Sequence, residues 1–256
     1  MKCWPDGVLV DDNQDGPRLS WQAADGPFEA ETCWLLDARR AWFACPADER
    51  RAEPGPSEQR WTLRQTWPVL GDDEVQAAVT AVALAAWHCG HRFCPACGSP
   101  TIVQAAGWAE QCPGCGAQHF PRVDPAVIVA LIDDSGRLLL GGQSSWGKRR
   151  SVFAGFVTVG ESLEQAVHRE VMEEVGLDID HLQYFGSQPW PFPRSLMVAF
   201  TAHVSRPDDL HIDGHEIVRA DWFSRDEVRS AWADGAIDPP PPMSIARRLI
   251  DTWLAG

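Results

Sequence analysis

Two tight pairs of cysteines constrain this chain more than any other feature. Cys94-Pro-Ala-Cys97 and Cys112-Pro-Gly-Cys115 each leave two residues between their thiols, and 14 residues separate the pairs. A two-residue gap lets a knuckle turn aim both thiols at one point, and Gly98, Gly114 and Gly116 supply the backbone freedom such turns require. The spacing predicts a zinc ribbon in which Cys94, Cys97, Cys112 and Cys115 close a tetrahedron around one structural zinc ion, with no position left open for catalysis. The alternative is a pair of disulfides, which belongs to an oxidising compartment. Met1 to Asp12 shows no basic start followed by a long apolar run, so a cytoplasmic address is expected and the disulfide alternative is disfavoured. Cys3, Cys33, Cys45 and Cys89 lack partners at metal spacing and are expected as small buried side chains.

The rest of the chain divides around this ribbon. A length of 256 residues suits one large or two small folded units, and 45% hydrophobic residues are enough to bury a core. We divide it into an amino-terminal α+β domain over residues 1–90, the ribbon over 91–121, and a third domain over 122–256. In the first, Thr32 to Leu36 and Ala41 to Phe43 alternate as strands do, Arg50 to Gln59 reads as an internal loop, and Gly71 to Trp87 reads as a helix. Its most apolar stretch, Ala77 to Trp87, is far shorter than the ~20 residues a bilayer crossing needs, so it reads as core and no membrane partner is expected. In the third, Ala126 to Ile132 is a continuous apolar run ending at Asp133-Asp134-Ser135-Gly136, the pattern of a buried strand and tight turn, with Arg137 to Leu140 returning as its hairpin partner. Met197 to Val204 and Ile217 to Phe223 extend the sheet, and Ser244 to Leu254 closes the chain as a helix. The net charge of −14 argues against a protein that holds nucleic acid by broad phosphate neutralisation, so a polyanionic substrate would need local cations or a metal.

A second motif carries oxygen ligands. Ser162 with Gln165 three residues on makes a capping box, and Gly176 stands where a left-handed residue ends a helix. On a 3.6-residue wheel, Leu163, Ala166 and Val167 share a face with Glu170, Glu173 and Glu174, whereas Gln165, His168, Arg169 and Met172 point the other way. Three acids at i, i+3 and i+4 on an inward stripe repel one another and lose hydration, which predicts a compensating cation. Magnesium or manganese fits, since hard ions take carboxylates and bridge them to substrate phosphates. The bland alternative is a solvated acidic face paired by Arg169.

Gly155, five residues, Glu161, seven residues, then Arg169-Glu170-Val171-Met172-Glu173-Glu174-Val175-Gly176-Leu177 match every fixed position of the Nudix box. The chain therefore resembles the Nudix hydrolases, which use a divalent metal and water to cleave a nucleoside diphosphate linked to another moiety. Downstream, Ser187-Gln188-Pro189-Trp190-Pro191-Phe192-Pro193-Arg194-Ser195 alternates three prolines that stiffen a segment presenting Trp190 and Phe192, aromatics able to stack a flat heterocycle. With the four-cysteine ribbon upstream, this segment resembles the NADH pyrophosphatase subfamily over roughly residues 90–256. That likeness implies an α+β chain whose Nudix domain is an α/β/α sandwich with a mixed sheet. It implies hydrolysis of NAD(H) to nicotinamide mononucleotide and AMP, removal of NAD caps from RNA 5′ ends, zinc with magnesium or manganese, and a homodimer.

Carried over position by position, the resemblance makes Glu170, Glu174, Glu216 and the main-chain carbonyl of Ala154 metal ligands, with Glu173 beside the metal or its water and Phe156 a base-stacking ring. Glu174 or Glu173 would accept the proton of the attacking water. Glu161 is expected to order the loop or orient Arg169, with direct contact to the metal as the alternative. Gln188, Pro189, Trp190, Pro191, Phe192, Pro193, Arg194 and Ser195 would line the substrate pocket, joined by Phe120, the backbone of Ala246 and, as a weaker match, Arg64. The chain departs from the family at Arg194, where Gln is frequent, at Phe120, where Tyr is familiar, and at Gly107, where an acid is expected before Trp108. Two rival readings remain: a Nudix enzyme for ADP-ribose or dinucleoside polyphosphates, and an inactive zinc-ribbon module that binds nucleic acid.

Overall fold

A computed structural model describes residues 1–13, 16–22, 34–37, 42–46 and 58–256. Their contacts form two compact units, Met1–Val123 with Pro191–Arg194, and Asp124–Trp190 with Ser195–Gly256.

The first unit is a six-stranded sheet, a long helix and the ribbon. Strands β1 (Lys2–Trp4), β2 (Gly7–Asn13), β3 (Gly16–Leu19), β4 (Trp34–Asp37) and β5 (Trp42–Pro46) stand in the order β3-β2-β1-β5-β4, and β6 (Glu58–Thr62) also pairs with β2. The short helix α1 (Leu63–Thr66) leads to α2 (Asp72–Gly90), whose first turn carries Asp72, Asp73 and Glu74 against the positive end of the helix dipole. Ala77, Ala78, Ala81, Val82 and Ala85 bury one side of α2 in a core shared with Cys3, Val8 and Val10, so the apolar stretch is a core helix as expected. Among the described residues no helix is long and apolar enough to cross a membrane. Two expectations need correction. Glu58 and Gln59 belong to β6, not to a loop, because they complete the ladder with Asp11 and Val10; residues 50–57 lie outside the described residues. Of the unpaired cysteines, Cys3 is fully buried, but Cys89 is exposed near the end of α2 and Cys45 is disulfide-bonded; Cys33 lies outside the described residues.

The ribbon is a three-stranded sheet, β7 (Ile102–Gln104), β8 (Ala109–Gln111) and β9 (Gln118–His119), in that order. His88 of α2 reaches it through Glu110 Oε1 at 2.7 Å and the Gly107 carbonyl at 2.9 Å. Gly107 explains itself here. Its φ is +93°, and a Cβ would run into the Trp34 side chain, which stacks on His88.

The second unit is built on β10 (Asp124–Asp133). Its odd residues Val127, Val129 and Leu131 face one core and its even residues Ile128 and Ala130 face another, which is why the run is apolar throughout. β10 pairs in parallel with β14 (Ser195–Val204) and antiparallel with β11 (Leu138–Gly142) and β12 (Phe153–Phe156). With β13 (Asp180–Trp190) and β15 (Arg219–Phe223) the sheet order is β13-β14-β10-β11-β15. Helix α3 (Leu163–Val175) covers one face, while α4 (Arg225–Ala233) and α5 (Ile245–Ala255) cover the other. The result is an α/β/α sandwich around a mixed sheet, the expected architecture.

Candidate metal centres and active site

In the ribbon, each knuckle repeats one backbone pattern. Gly98 N–H donates to the Cys94 carbonyl and Gly116 N–H to the Cys112 carbonyl, at 2.8 and 3.0 Å, with φ of +73° and +77° at the two glycines. Gly114 serves differently, by letting its knuckle approach Ser99. The four Sγ atoms lie within 4.8 Å of one another, and the thiols are free. Sulfur donors so crowded suit a tetrahedral soft or borderline ion, which zinc is.

The carboxylate site starts from α3. Ser162 Oγ accepts from Gln165 N–H at the start of the helix, and Gly176 ends it at φ +66°, both as the sequence predicts. The inward face, however, is Ala166, Val167, Val171, Glu174 and Val175. Only Glu174 of the three acids is fully inward; Glu170 is 14% exposed and Glu173 60%. Arg169 also departs from its wheel position. Its guanidinium binds Glu161 through two bonds, Glu170 Oε1 at 2.8 Å, Glu173 Oε2 at 2.9 Å and the Phe156 carbonyl at 2.9 Å. A wheel gives the direction of Cα–Cβ, and a long side chain can lean across to the neighbouring stripe.

These bonds give Glu161 the ordering role expected of it. Its Oε2 accepts from Thr158 N–H at 2.9 Å, and the Arg169 guanidinium with this amide holds its carboxyl down to about 2. The loop from Phe156 to Glu161 is therefore tied to α3. Gly155 is required for close approach, since a Cβ there would fall inside the Glu170 carboxyl group.

Glu174 is 5% exposed, and its buried Oε2 has no hydrogen-bond partner. Burial first, then the charges of Glu216, Glu170, Asp213 and Glu173, push its carboxyl up to about 8. A buried, orphaned carboxylate oxygen beside several other acids is the donor chemistry of a hard divalent cation, so these residues fit one. Glu216 comes from the segment before β15. Asp213 accepts from the Glu216 and Ile217 amides at 2.9 Å each, and Gln143 Nε2 donates to Glu216 Oε1 at 3.1 Å. Sequence reasoning missed Asp213, Gln143 and the bridging role of Arg169. The Asp213-Gly214 turn was a signal for the first; Gln143, 73 residues from Glu216, offered none.

The remaining candidates fall in both units. Ala154 and Phe156 lie on β12, where Phe156 is 59% exposed. Gln188 is buried on β13. Its amide donates to the Met243 carbonyl and accepts from Ile245 N–H, both at 2.7 Å, fixing the start of α5 next to buried Ala246. Pro189 and Trp190 end β13 and pair with Leu196 and Ser195 of β14. Pro191, Phe192, Pro193 and Arg194 belong to the first unit, where the Arg64 guanidinium lies 4.0 Å over the Phe192 ring. Pro193 and Arg194 line a cavity of about 270 Å³ with Trp87, His91 and Arg122. Phe120, in the same unit, is 61% exposed.

Comparison with known proteins places both motifs in families. Residues 122–241 match the NUDIX domain, and residues 91–120 match the NADH pyrophosphatase zinc ribbon domain. The chain is 40% identical to the NAD-capped RNA hydrolase NudC of Mycobacterium bovis over 85% of this chain and 72% of that protein. It is 37% identical to the mitochondrial NAD(P)H pyrophosphatase NUDT13 of Mus musculus over 97% of this chain and 76% of that protein. Among solved structures, a NUDIX hydrolase from Nitrosomonas europaea aligns with 64% of this chain and 88% of its own, with a TM-score of 0.45 and 23% identity.

Proposed function

The chain belongs to the Nudix hydrolases, in the branch that carries the NADH pyrophosphatase zinc ribbon, and on that premise we propose that it hydrolyses the pyrophosphate bond of NAD(H) and removes NAD caps from RNA. The products are nicotinamide mononucleotide and AMP, or the mononucleotide and a 5′-monophosphate RNA. The observation that carries the reading is Glu174, a buried carboxylate with one unpartnered oxygen. Glu170, Glu174, Glu216 and the Ala154 carbonyl are the groups that would hold magnesium or manganese. When bound, such an ion neutralises phosphate charge and makes water a better nucleophile at neutral pH.

The chain's own residues do the rest. Glu173 is exposed, with one oxygen held by Arg169, so it can take a proton from water at the surface, while buried Glu174 serves first as ligand. Arg169 and Glu161 keep Glu170 and the Phe156 loop in register, leaving the Phe156 ring open to stack a base. Gln188 anchors the start of α5, which sets the Ala246 backbone, and the segment from Pro189 to Ser195 with Phe120 and Arg64 contributes to substrate recognition. Zinc in the ribbon, a homodimer, cytoplasmic residence and the division at 1–90, 91–121 and 122–256 belong to the same reading.

The test is product identification after incubating purified protein with NADH and with NAD-capped RNA in magnesium or manganese. Nicotinamide mononucleotide from both supports the reading. Cleavage of ADP-ribose or dinucleoside polyphosphates alone, or RNA binding with no turnover, would replace it with one of the two rivals.

A further inference from the structure

The chain carries 22 basic against 36 acidic residues, and its described cations are commonly neutralised by carboxylates: Arg137 by Asp133, Arg229 by Asp226 and Arg247 by Asp251. Lys148-Arg149-Arg150, the longest unbroken basic run in the sequence, is an exception. Lys148 and Arg149 are exposed and Arg150 is half-buried, and among the described residues none of the three has a carboxylate in ion-pair contact. Main-chain carbonyls hold Lys148 and Arg150 instead. Lys148 Nζ donates to the Gly235 carbonyl at 3.0 Å, and Arg150 Nη1 to the Arg149 carbonyl at 3.0 Å. Carbonyls fix the position of a cation without cancelling its charge.

This loop adjoins the carboxylate site within the second unit. Arg150 packs over Gly142 so closely that a Cβ there would sit 2.8 Å from Nη1. The next residue, Gln143, donates to Glu216, and the Gly142 carbonyl accepts from Val218 N–H at 3.1 Å. Ser151 at the loop's end pairs with Gly141. Three cations without an ion-pair partner thus share one loop, which is paired through its backbone with Asp238 and reaches the Gln143–Glu216 contact through Arg150 and Gly142, on a protein whose net charge repels polyanions.

We propose that Lys148, Arg149 and Arg150 form a phosphate track that takes the backbone of a single-stranded RNA leading away from the pyrophosphate being cleaved. The proposal rests on the reading that capped RNA is a substrate. NADH has only the two phosphates of the scissile bridge, whereas a capped RNA adds one with every further nucleotide. The loop therefore separates the two substrates by charge, and without reading bases.

The experiment compares wild type with a Lys148→Gln/Arg149→Gln double variant, which leaves the Arg150–Gly142 packing in place. For capped RNA, KM should rise roughly five- to tenfold, and the slope of log(kcat/KM) against log[salt] should become shallower by about 1.4, or 0.7 per lost phosphate contact. For NADH, kcat and KM should stay within about twofold, since the proposal assigns the loop to phosphates beyond the scissile bridge, which NADH lacks. Fluorescence anisotropy of an uncapped 5′-monophosphate oligoribonucleotide, with Arg149→Glu as a second variant, reads binding apart from turnover, and both variants should bind it more weakly. Unchanged RNA kinetics and binding would overturn the proposal, as would a parallel fall in NADH turnover. If wild type cleaves neither substrate, the hydrolase reading fails, and the phosphate track is then decided by the oligoribonucleotide alone.

Discussion

The ribbon and the carboxylate helix both gather ligands for a cation, and they do so in opposite ways. Four thiols come from two copies of one local turn, and their sulfur atoms already crowd within 4.8 Å. The glutamates come from α3 and the segment before β15, and they are not occupied alike: Glu170 and Glu173 by Arg169, Glu216 by Gln143, and the buried Oε2 of Glu174 by nothing. A site made to hold a metal for structure can be closed and local. One made to share its metal with a substrate must be open, and its charges need other partners in the meantime. On the proposed function, the orphaned oxygen, rather than the densest ligand cluster, marks the place for chemistry.

The sharpest way to break this comparison is to remove one thiol. Cys112→Ser should abolish zinc retention and unfold the ribbon, because binding free energies of structural zinc reach about 10–16 kcal/mol in small domains. Zinc content and limited proteolysis around residues 91–120 check it. A variant that kept its zinc and its protease resistance would show that the tetrad is not a closed site.

Next in size, Glu170→Gln and Glu174→Gln should each lower turnover by about 10²–10⁴ while zinc content and thermal unfolding stay near wild type. Steady-state kinetics with NADH measure this, and full activity in both would remove the carboxylates from the mechanism. Gly155→Ala tests the geometry rather than the charge. Its methyl group must displace the Glu170 carboxylate, and a displacement of about 1 Å costs on the order of 10²-fold in rate.

The last prediction sharpens the account of Glu174 in protein that keeps its zinc but holds no ion at the carboxylates. The unfolded chain ionises this group near its ordinary 4.5, whereas the folded chain keeps the proton until about 8. The folded state thus binds the extra proton between those values, so this contribution to stability is full below 4.5 and is lost as pH rises through 8. Thermal midpoints of protein that keeps its zinc but is given no magnesium or manganese should fall across that window, and Glu174→Gln should flatten the slope. An identical slope in the variant would assign it to other groups.

Much of this was legible in the residues. Ser162, Gln165 and Gly176 marked both ends of α3, and the unbroken run from Ala126 to Ile132 marked a strand buried on both faces. These signals are local, set by one turn of helix or one pleat. The positions of Arg169 and Glu173 were not legible, because a wheel assigns Cβ directions and says nothing of where four bonds of side chain come to rest. Nor could Gly107 be read as structural, since its reason is the Trp34 ring, a residue distant in the chain.

The sequence by itself determined the ligand types, the two knuckles and the helix that carries the acids, since each is written in contacts a few residues apart. Only the tertiary structure decided which acid is buried without a partner, that Gln143 and Asp213 hold Glu216 in place, and that a basic loop stands next to them. Those facts depend on strands that meet across dozens of residues, where packing and desolvation, not spacing, set the outcome.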